Sequence, residues 1–469
     1  MRRLSEDEIA ALDAAHRAAL QFRTSAPSRP IPPQMKLDEA VRFFRKPLND
    51  EPIAADKVIA DMVRDADPGL NNMVSGNFYG YVLGASMPVG VAADNLVSAW
   101  GQNAGSSLET PAISGMERAV GDWLLELLDL PRDSGVGLVT GGTVANYQGI
   151  MAARHALLSA QGWNVEEEGL IGAPPVPVFA GADAHSAPLA GVRYAGLGSK
   201  RVIRIATDDQ GRMRPEALAD ALDTASAPPL VILQAGQINT GACDPFEELI
   251  PLIRAKKGWV HVDGAFGLWI AAIPELRDRI AGVGKADSWA IDLHKWLNAP
   301  FDAGASIVRD RSAMVAAMSA WGAYLPQTSA HWEPSESTIE LSRRARGVPT
   351  YAILKSLGKS GIRELVLNHV RQAERLAELL EAEPGISVVN KVVTNQVSLS
   401  CGEGETGDTQ TRAVLDQVQK RGKVYPTHGE WRGREIIRCS ICSYATDDED
   451  IALLADEIVT AWRQVREAS

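Results

Sequence analysis

The chain has 469 residues, 45% of them hydrophobic, which excludes a disordered chain and predicts two or three packed regions rather than one core. Its 47 Lys and Arg face 59 Asp and Glu, a formal net charge of -12 that favours solubility and leaves no basic stripe for a phosphate backbone, so nucleic acid is not an expected partner. Four cysteines, Cys243, Cys401, Cys439 and Cys442, are too few for a disulfide scaffold and fit a reducing compartment.

The N-terminal MRRLSEDEIAALDAAHRAALQF mixes acids into a helical pattern and lacks the uninterrupted apolar stretch of a signal peptide. No run is long and apolar enough to span a bilayer, so a cytoplasmic location without a membrane is expected. Residues 5–22 place Ile9, Leu12, Ala15 and Ala19 at helical spacing, and the Pro-rich TSAPSRPIPP cannot continue that helix. The result is a helical arm, residues 1–77, whose apolar stripe needs cover from the main body or a second subunit.

From about residue 115 the helix MERAVGDWLLELLDL and the short apolar runs VGLVT, PVPVFAG, RVIRI, PLVILQAG, WVHVDGA and DSWAIDL alternate with helical stretches. This pattern predicts an α/β region, residues 78–345, built on a mainly parallel sheet covered on both faces. Residues 346–469 change character: an amphipathic helix, ELVLNHVRQAERLAELLEAEPG, precedes the strand-like ISVV and IIRCSI and a closing helix, DEDIALLADEIVTAWRQV. That order predicts a smaller α+β domain. Cys439 and Cys442 form a C-x-x-C in a strand-like run without a second Cys/His pair, so they read as buried thiols.

Open α/β sheets bind ligands outside the carboxyl ends of their strands, and four segments put chemistry there. In GLVTGGTVAN a strand passes Gly141 and Gly142 and opens a helix through Thr143, a turn that suits an anion or serves as a plain connection. WVHVDGAFG delivers Asp263 at a strand end, either to cap the next turn or to partner a cationic ring nitrogen, with Ala265 leaving a flat surface beside the ring. DSWAIDLHKW sets Lys295 between His294 and Trp296 after an apolar strand, where desolvation favours the neutral amine needed for a Schiff base. DAHSAPLAG places His185 ahead of a helix, as a cap or as an imidazole able to stack on a ring.

In the order TGGTVAN, DAHSAP, HVDGAFG and DLHKW, these residues resemble the group II pyridoxal-dependent amino-acid decarboxylases, over residues from FYGYVLGASMP at 78–88 to ELSRRARG at 340–347. The resemblance implies an aspartate-aminotransferase-like, fold type I α/β architecture, pyridoxal 5'-phosphate as cofactor, and a homodimer with active sites at its interface. It implies Lys295 as the Schiff-base lysine, Asp263 as the pyridine-nitrogen partner and His185 as the stacking imidazole. Gly142, Thr143 and His294 are expected near the phosphate, Thr240 near the ring and Ala265 beneath it. Asp292 stands where the aromatic decarboxylases have asparagine, and Tyr324 falls where a family loop supplies a proton-donating tyrosine. The expected reaction is decarboxylation of an L-amino acid to the amine and carbon dioxide. Carbon-carbon cleavage by a lyase and oxidative conversion of an aromatic amino acid to an aldehyde are the alternatives on the same scaffold. A cofactor-free regulatory protein would not need Lys295, Asp263 and His185 together. No strand is followed by the G-x-G-x-x-G and matching acid of a nicotinamide site.

Overall fold

The computed structural model describes residues 3–319 and 333–468. The large sheet is built from β1 (Gly135–Val139), β2 (Val178–Gly181), β3 (Ile203–Ile205), β4 (Leu230–Gln234), β5 (Trp259–Asp263), β6 (Ser288–Asp292) and β7 (Gly304–Val308), in spatial order β1-β7-β6-β5-β4-β2-β3. Neighbours from β3 to β6 pair in parallel, whereas β7 runs against both β6 and β1. The architecture is the expected α/β type with a mainly parallel sheet. β7 is the strand that the sequence pattern missed, because GASIV offers small residues and a short apolar run. Since β7 reverses between two neighbours, β1 points the same way as β2 to β6, and their carboxyl ends share one edge.

β4 and β5 are buried along their whole length, as expected for strands covered on both faces. Along β5 the two-residue period sends Val260 and Val262 into the largest apolar core and Trp259, His261 and Asp263 to the other face. The helix Gly142–Ser159 packs on that second face. Fully buried Trp289 and Trp296 anchor the region that follows β5, each worth about 2–3 kcal/mol of apolar burial.

A second sheet of β8 (Ile386–Val388), β9 (Gln396–Cys401), β10 (Thr427–Trp431) and β11 (Arg434–Ser440) is antiparallel in order β10-β11-β9-β8. The helices Gly407–Arg421 and Asp448–Ala468 share an apolar core with it. The helix expected from ELVLNHVRQ begins earlier, at Gly347, and runs to Glu381 with a break at Gly358, whose φ of 60° is the left-handed value glycine accepts. Cys439 and Cys442 are buried and free, and burial pushes both thiols well up. Among the described residues no helix is long and apolar enough to cross a membrane.

The N-terminal helix Glu6–Ser25 packs on the helix Ala55–Ala66. Of its predicted stripe, Ile9 and Leu12 stay exposed, as do Leu20, Leu37, Phe44 and Leu48 of the same arm.

His369 couples the two regions: Trp296 Nε1 donates to its Nδ1 at 2.9 Å and its Nε2 faces the Ser443 carbonyl at 2.9 Å. Burial lowers its pKa to about 4, and that of His261 to about 3. Both folded values lie below the unfolded one of about 6.5, so their contribution is complete above that pH and is lost as pH falls toward the folded values. By about pH 5 each imidazole costs roughly 2 kcal/mol. Asp244, raised to about 6 by burial, acts with opposite sign and offsets about 1 kcal/mol of this. Thermal unfolding is therefore expected at lower temperature at pH ~5 than at pH ~7, with a shallower dependence in His369→Gln. A flat profile would contradict this assignment.

Candidate active site

The shared carboxyl edge collects the chemistry. Lys295 follows β6, and its side chain is only 16% exposed, with Nζ 2.8 Å from Asp292 Oδ2. The other Asp292 oxygen lies 3.3 Å from His294 Nε2 and accepts the backbone N–H of Gly142 at the start of the helix Gly142–Ser159. Gly142 is needed here, because a Cβ would come within 2.6 Å of Asp292 Oδ2. Thr143, one residue on, is exposed in the first helical turn. His294 stacks on Phe301 with ring centroids 4.4 Å apart, and burial holds its pKa below the ordinary imidazole value.

Asp263, buried at the end of β5, accepts at Oδ1 from Asn146 Nδ2 and from Ala265 N, each at 3.3 Å. His185 caps the helix Ser186–Tyr194, its Nδ1 accepting from Ala187 N at 3.2 Å. Burial lowers its pKa, the Asp263 carboxylate opposes that shift, and the charges of Lys295 and Arg438 reinforce it. His185 is thus close to both the amine and the carboxylate while also serving as a cap. The cap reading of this histidine is the one the structure displays.

Thr240, expected near the ring, lies in the loop after β4. Its hydroxyl donates to the Gln210 carbonyl at 2.7 Å and accepts from Ala242 N, while its own carbonyl accepts from Asn390 Nδ2. With the hydroxyl committed to backbone, Thr240 pins the loop after β4 against the smaller sheet, and its hydrogen bonds do not reach the Lys295 cluster. Tyr324 lies outside the described residues.

Arg438 on β11 went unnoticed in the sequence. It is half-buried, its enclosed Nε has no hydrogen-bond partner among the described residues, burial lowers its pKa, and Tyr81 is the main group opposing that shift. A guanidinium with an enclosed, unused donor suits an arriving anion. Tyr81 and Val82 both have φ of 58°, an uncommon conformation for non-glycine residues, and Tyr81 stays exposed. Beside them Phe78 stacks on Tyr425 at 5.4 Å. No single-sequence pattern separates Arg438 from a surface cation, because only the pairing of β11 with β9 and β10 encloses it.

These residues fit a phosphorylated ring aldehyde. Lys295 offers a primary amine, Asp263 a buried carboxylate, His185 a flat imidazole, and Gly142 a helix N-terminus of the kind that receives an anion. Asp292 is the one discordant element, since its carboxylate already accepts the Gly142 N–H that a phosphate would use.

Residues 39–401 match the family model of the pyridoxal-dependent decarboxylase conserved domain. A phenylacetaldehyde synthase of Arabidopsis thaliana is 25% identical over 438 residues, 89% of this chain and 86% of that protein. Tyrosine decarboxylase 2 of Narcissus pseudonarcissus is 26% identical over 425 residues, 86% of this chain and 83% of that one. The solved structure of Oryza sativa TDC with PLP and tryptamine superposes with a TM-score of 0.91 at 22% identity, covering 99% of each chain.

Proposed function

The chain belongs to the pyridoxal-dependent decarboxylases, and from that premise we propose that it removes the carboxyl group of an aromatic L-amino acid at the Lys295 site. Pyridoxal phosphate is the cofactor, and when bound it supplies an electron sink for the pair left by carbon dioxide. Lys295 would hold it covalently, Asp263 its ring nitrogen, His185 and Ala265 its two faces, and Gly142, Thr143 and His294 its phosphate. Asp292 would orient Lys295 through the 2.8 Å contact and give up the Gly142 N–H to the phosphate. Arg438 gives the substrate carboxylate a partner on entry, and exposed Tyr81 offers a ring to an aromatic side chain. Tyr324 donates the proton that returns to the α-carbon, making the amine.

The observation that carries this reading is the convergence of a buried amine and a buried carboxylate, both near enough to His185 to shift its ionisation. The aromatic preference is supported by Tyr81 and by the named activity of the tyrosine decarboxylase relative. A homodimer is supported by the exposed Leu12, Leu20, Leu37 and Phe44 of the arm, an apolar surface that a second copy would cover. Four free cysteines support a reducing, cytoplasmic setting.

The test supplies the holoenzyme with tyrosine, tryptophan, phenylalanine, glutamate and histidine in turn. Carbon dioxide, amine, aldehyde and hydrogen peroxide are followed together. Equal carbon dioxide and amine from an aromatic substrate are expected, whereas aldehyde with peroxide in place of amine would install the oxidative alternative. In Tyr324→Phe the carbon dioxide should persist while amine falls and aldehyde and peroxide rise, because the acid is lost and the ring kept. An unchanged amine yield removes Tyr324 from the mechanism.

A further inference from the structure

We infer that His261 is a positioning residue for Asp263, acting through a buried hydrogen-bond chain of fixed direction that runs Trp259, Ser288, His261, Asn146, Asp263. The inference rests on the proposed role of Asp263 and extends it to four residues that have no part in the function argued above.

The chain follows from local rules. The period of β5 puts Trp259, His261 and Asp263 on one face, and the parallel register sets Ser288 of β6 directly beside His261. Trp259 Nε1 donates to Ser288 Oγ at 2.9 Å, and Ser288 Oγ lies 2.8 Å from His261 Nδ1. His261 Nε2 lies 2.8 Å from Asn146 Oδ1, and Asn146 Nδ2 reaches Asp263 Oδ1 at 3.3 Å.

The Asn146 end of the chain fixes its polarity. An indole N–H can only donate, so Ser288 Oγ accepts from Trp259 and its own proton stays available to His261 Nδ1. At the far end Asn146 Nδ2 donates to the Gly142 carbonyl at 2.8 Å, and a carbonyl can only accept. This orients the amide with Oδ1 toward His261, which must therefore carry its proton on Nε2. With Nε2 protonated, the neutral ring presents a lone pair at Nδ1, which the Ser288 hydroxyl fills as donor. Gly149 lets the facing helix pack directly on the ring, since a Cβ there would come within 2.6 Å of His261 Cε1. Trp259, Ser288, His261 and Asn146 are all buried, so solvent does not compete for these bonds.

The consequence falls on Asp263. The donated Asn146 N–H occupies Oδ1, which leaves Oδ2 for the cofactor ring nitrogen. With the opposite His261 tautomer, Asn146 Oδ1 would face a lone pair, its amide would rotate, and an oxygen would be turned toward the carboxylate.

Two measurements decide this. In protein labelled with 15N-histidine, the His261 signals, assigned by their loss in His261→Gln, should show a protonated Nε2 and an unprotonated Nδ1, unchanged between about pH 5.5 and 8. A protonated Nδ1, or titration in that range, overturns the inference without requiring any variant to be active.

The second measurement titrates the absorbance of bound pyridoxal phosphate with pH. In His261→Phe the midpoint should move by about one unit and turnover should fall about tenfold with KM little changed, while His261→Gln, which keeps an N–H for Asn146, restores both. A midpoint that moves in Asp263→Asn but not in His261→Phe overturns the role of His261. A midpoint that moves in neither overturns the Asp263 assignment itself.

Discussion

Lys295→Ala protein is expected to carry no covalently held cofactor and to lose amine production by a thousandfold or more, about 4 kcal/mol or greater in the barrier. The amine is the only side-chain nitrogen at the carboxyl end of β6 that can bond the cofactor aldehyde, because His294 faces Asp292 and Ala303. The fold should survive. Removing Nζ leaves Asp292 with the Gly142 N–H and His294 as partners, so its carboxylate is not stranded. Intact mass after borohydride treatment is the measurement: wild-type protein should gain the mass of the cofactor and the variant should not. Persisting covalent cofactor in Lys295→Ala would move the attachment to another residue and undo the site.

Asp263→Ala is expected to lower turnover on the order of a thousandfold, ~4 kcal/mol, while weakening cofactor retention far less. The separation follows from the proposed site: its phosphate and its covalent attachment would fall at the ends of β1 and β6, while Asp263 sits at the end of β5, where it would meet the ring nitrogen. The loss would also free Asn146 Nδ2, which still has the Gly142 carbonyl, so a large stability cost is not expected. Asp263→Asn keeps an acceptor for Asn146 and Ala265 and should lose nearly as much turnover, because the missing quantity is charge. Single-turnover rates alongside cofactor content separate the two effects. Near-normal turnover in Asp263→Ala would give the ring nitrogen another partner.

Much of the site was legible because polar residues interrupt apolar strands at their ends. Asp263 after WVHV and Lys295 after DSWAIDLH are conspicuous for that reason, and strand order brings them to one edge. The partner of the Thr240 hydroxyl was not legible, because the Gln210 carbonyl that takes it is supplied by a loop 30 residues earlier. Arg438 was missed because charge in a strand reads as a solvated face until another strand covers it. His261 and Trp259 were in view as two more members of WVHVD, and their period with Asp263 was the available signal.

By itself the sequence determined the alternation of strands and helices, the mainly parallel sheet and the smaller α+β region, since each depends on periodicities within a few residues of chain. Only the tertiary structure decided that β7 reverses the sheet direction, that the Arg438 Nε is enclosed with no hydrogen-bond partner among the described residues, and that Asp292 occupies the helix terminus at Gly142. Those facts depend on which distant segments become neighbours. The free energy of a buried charge or a committed hydroxyl is set by the groups packed against it, and residues far apart in sequence supply those groups.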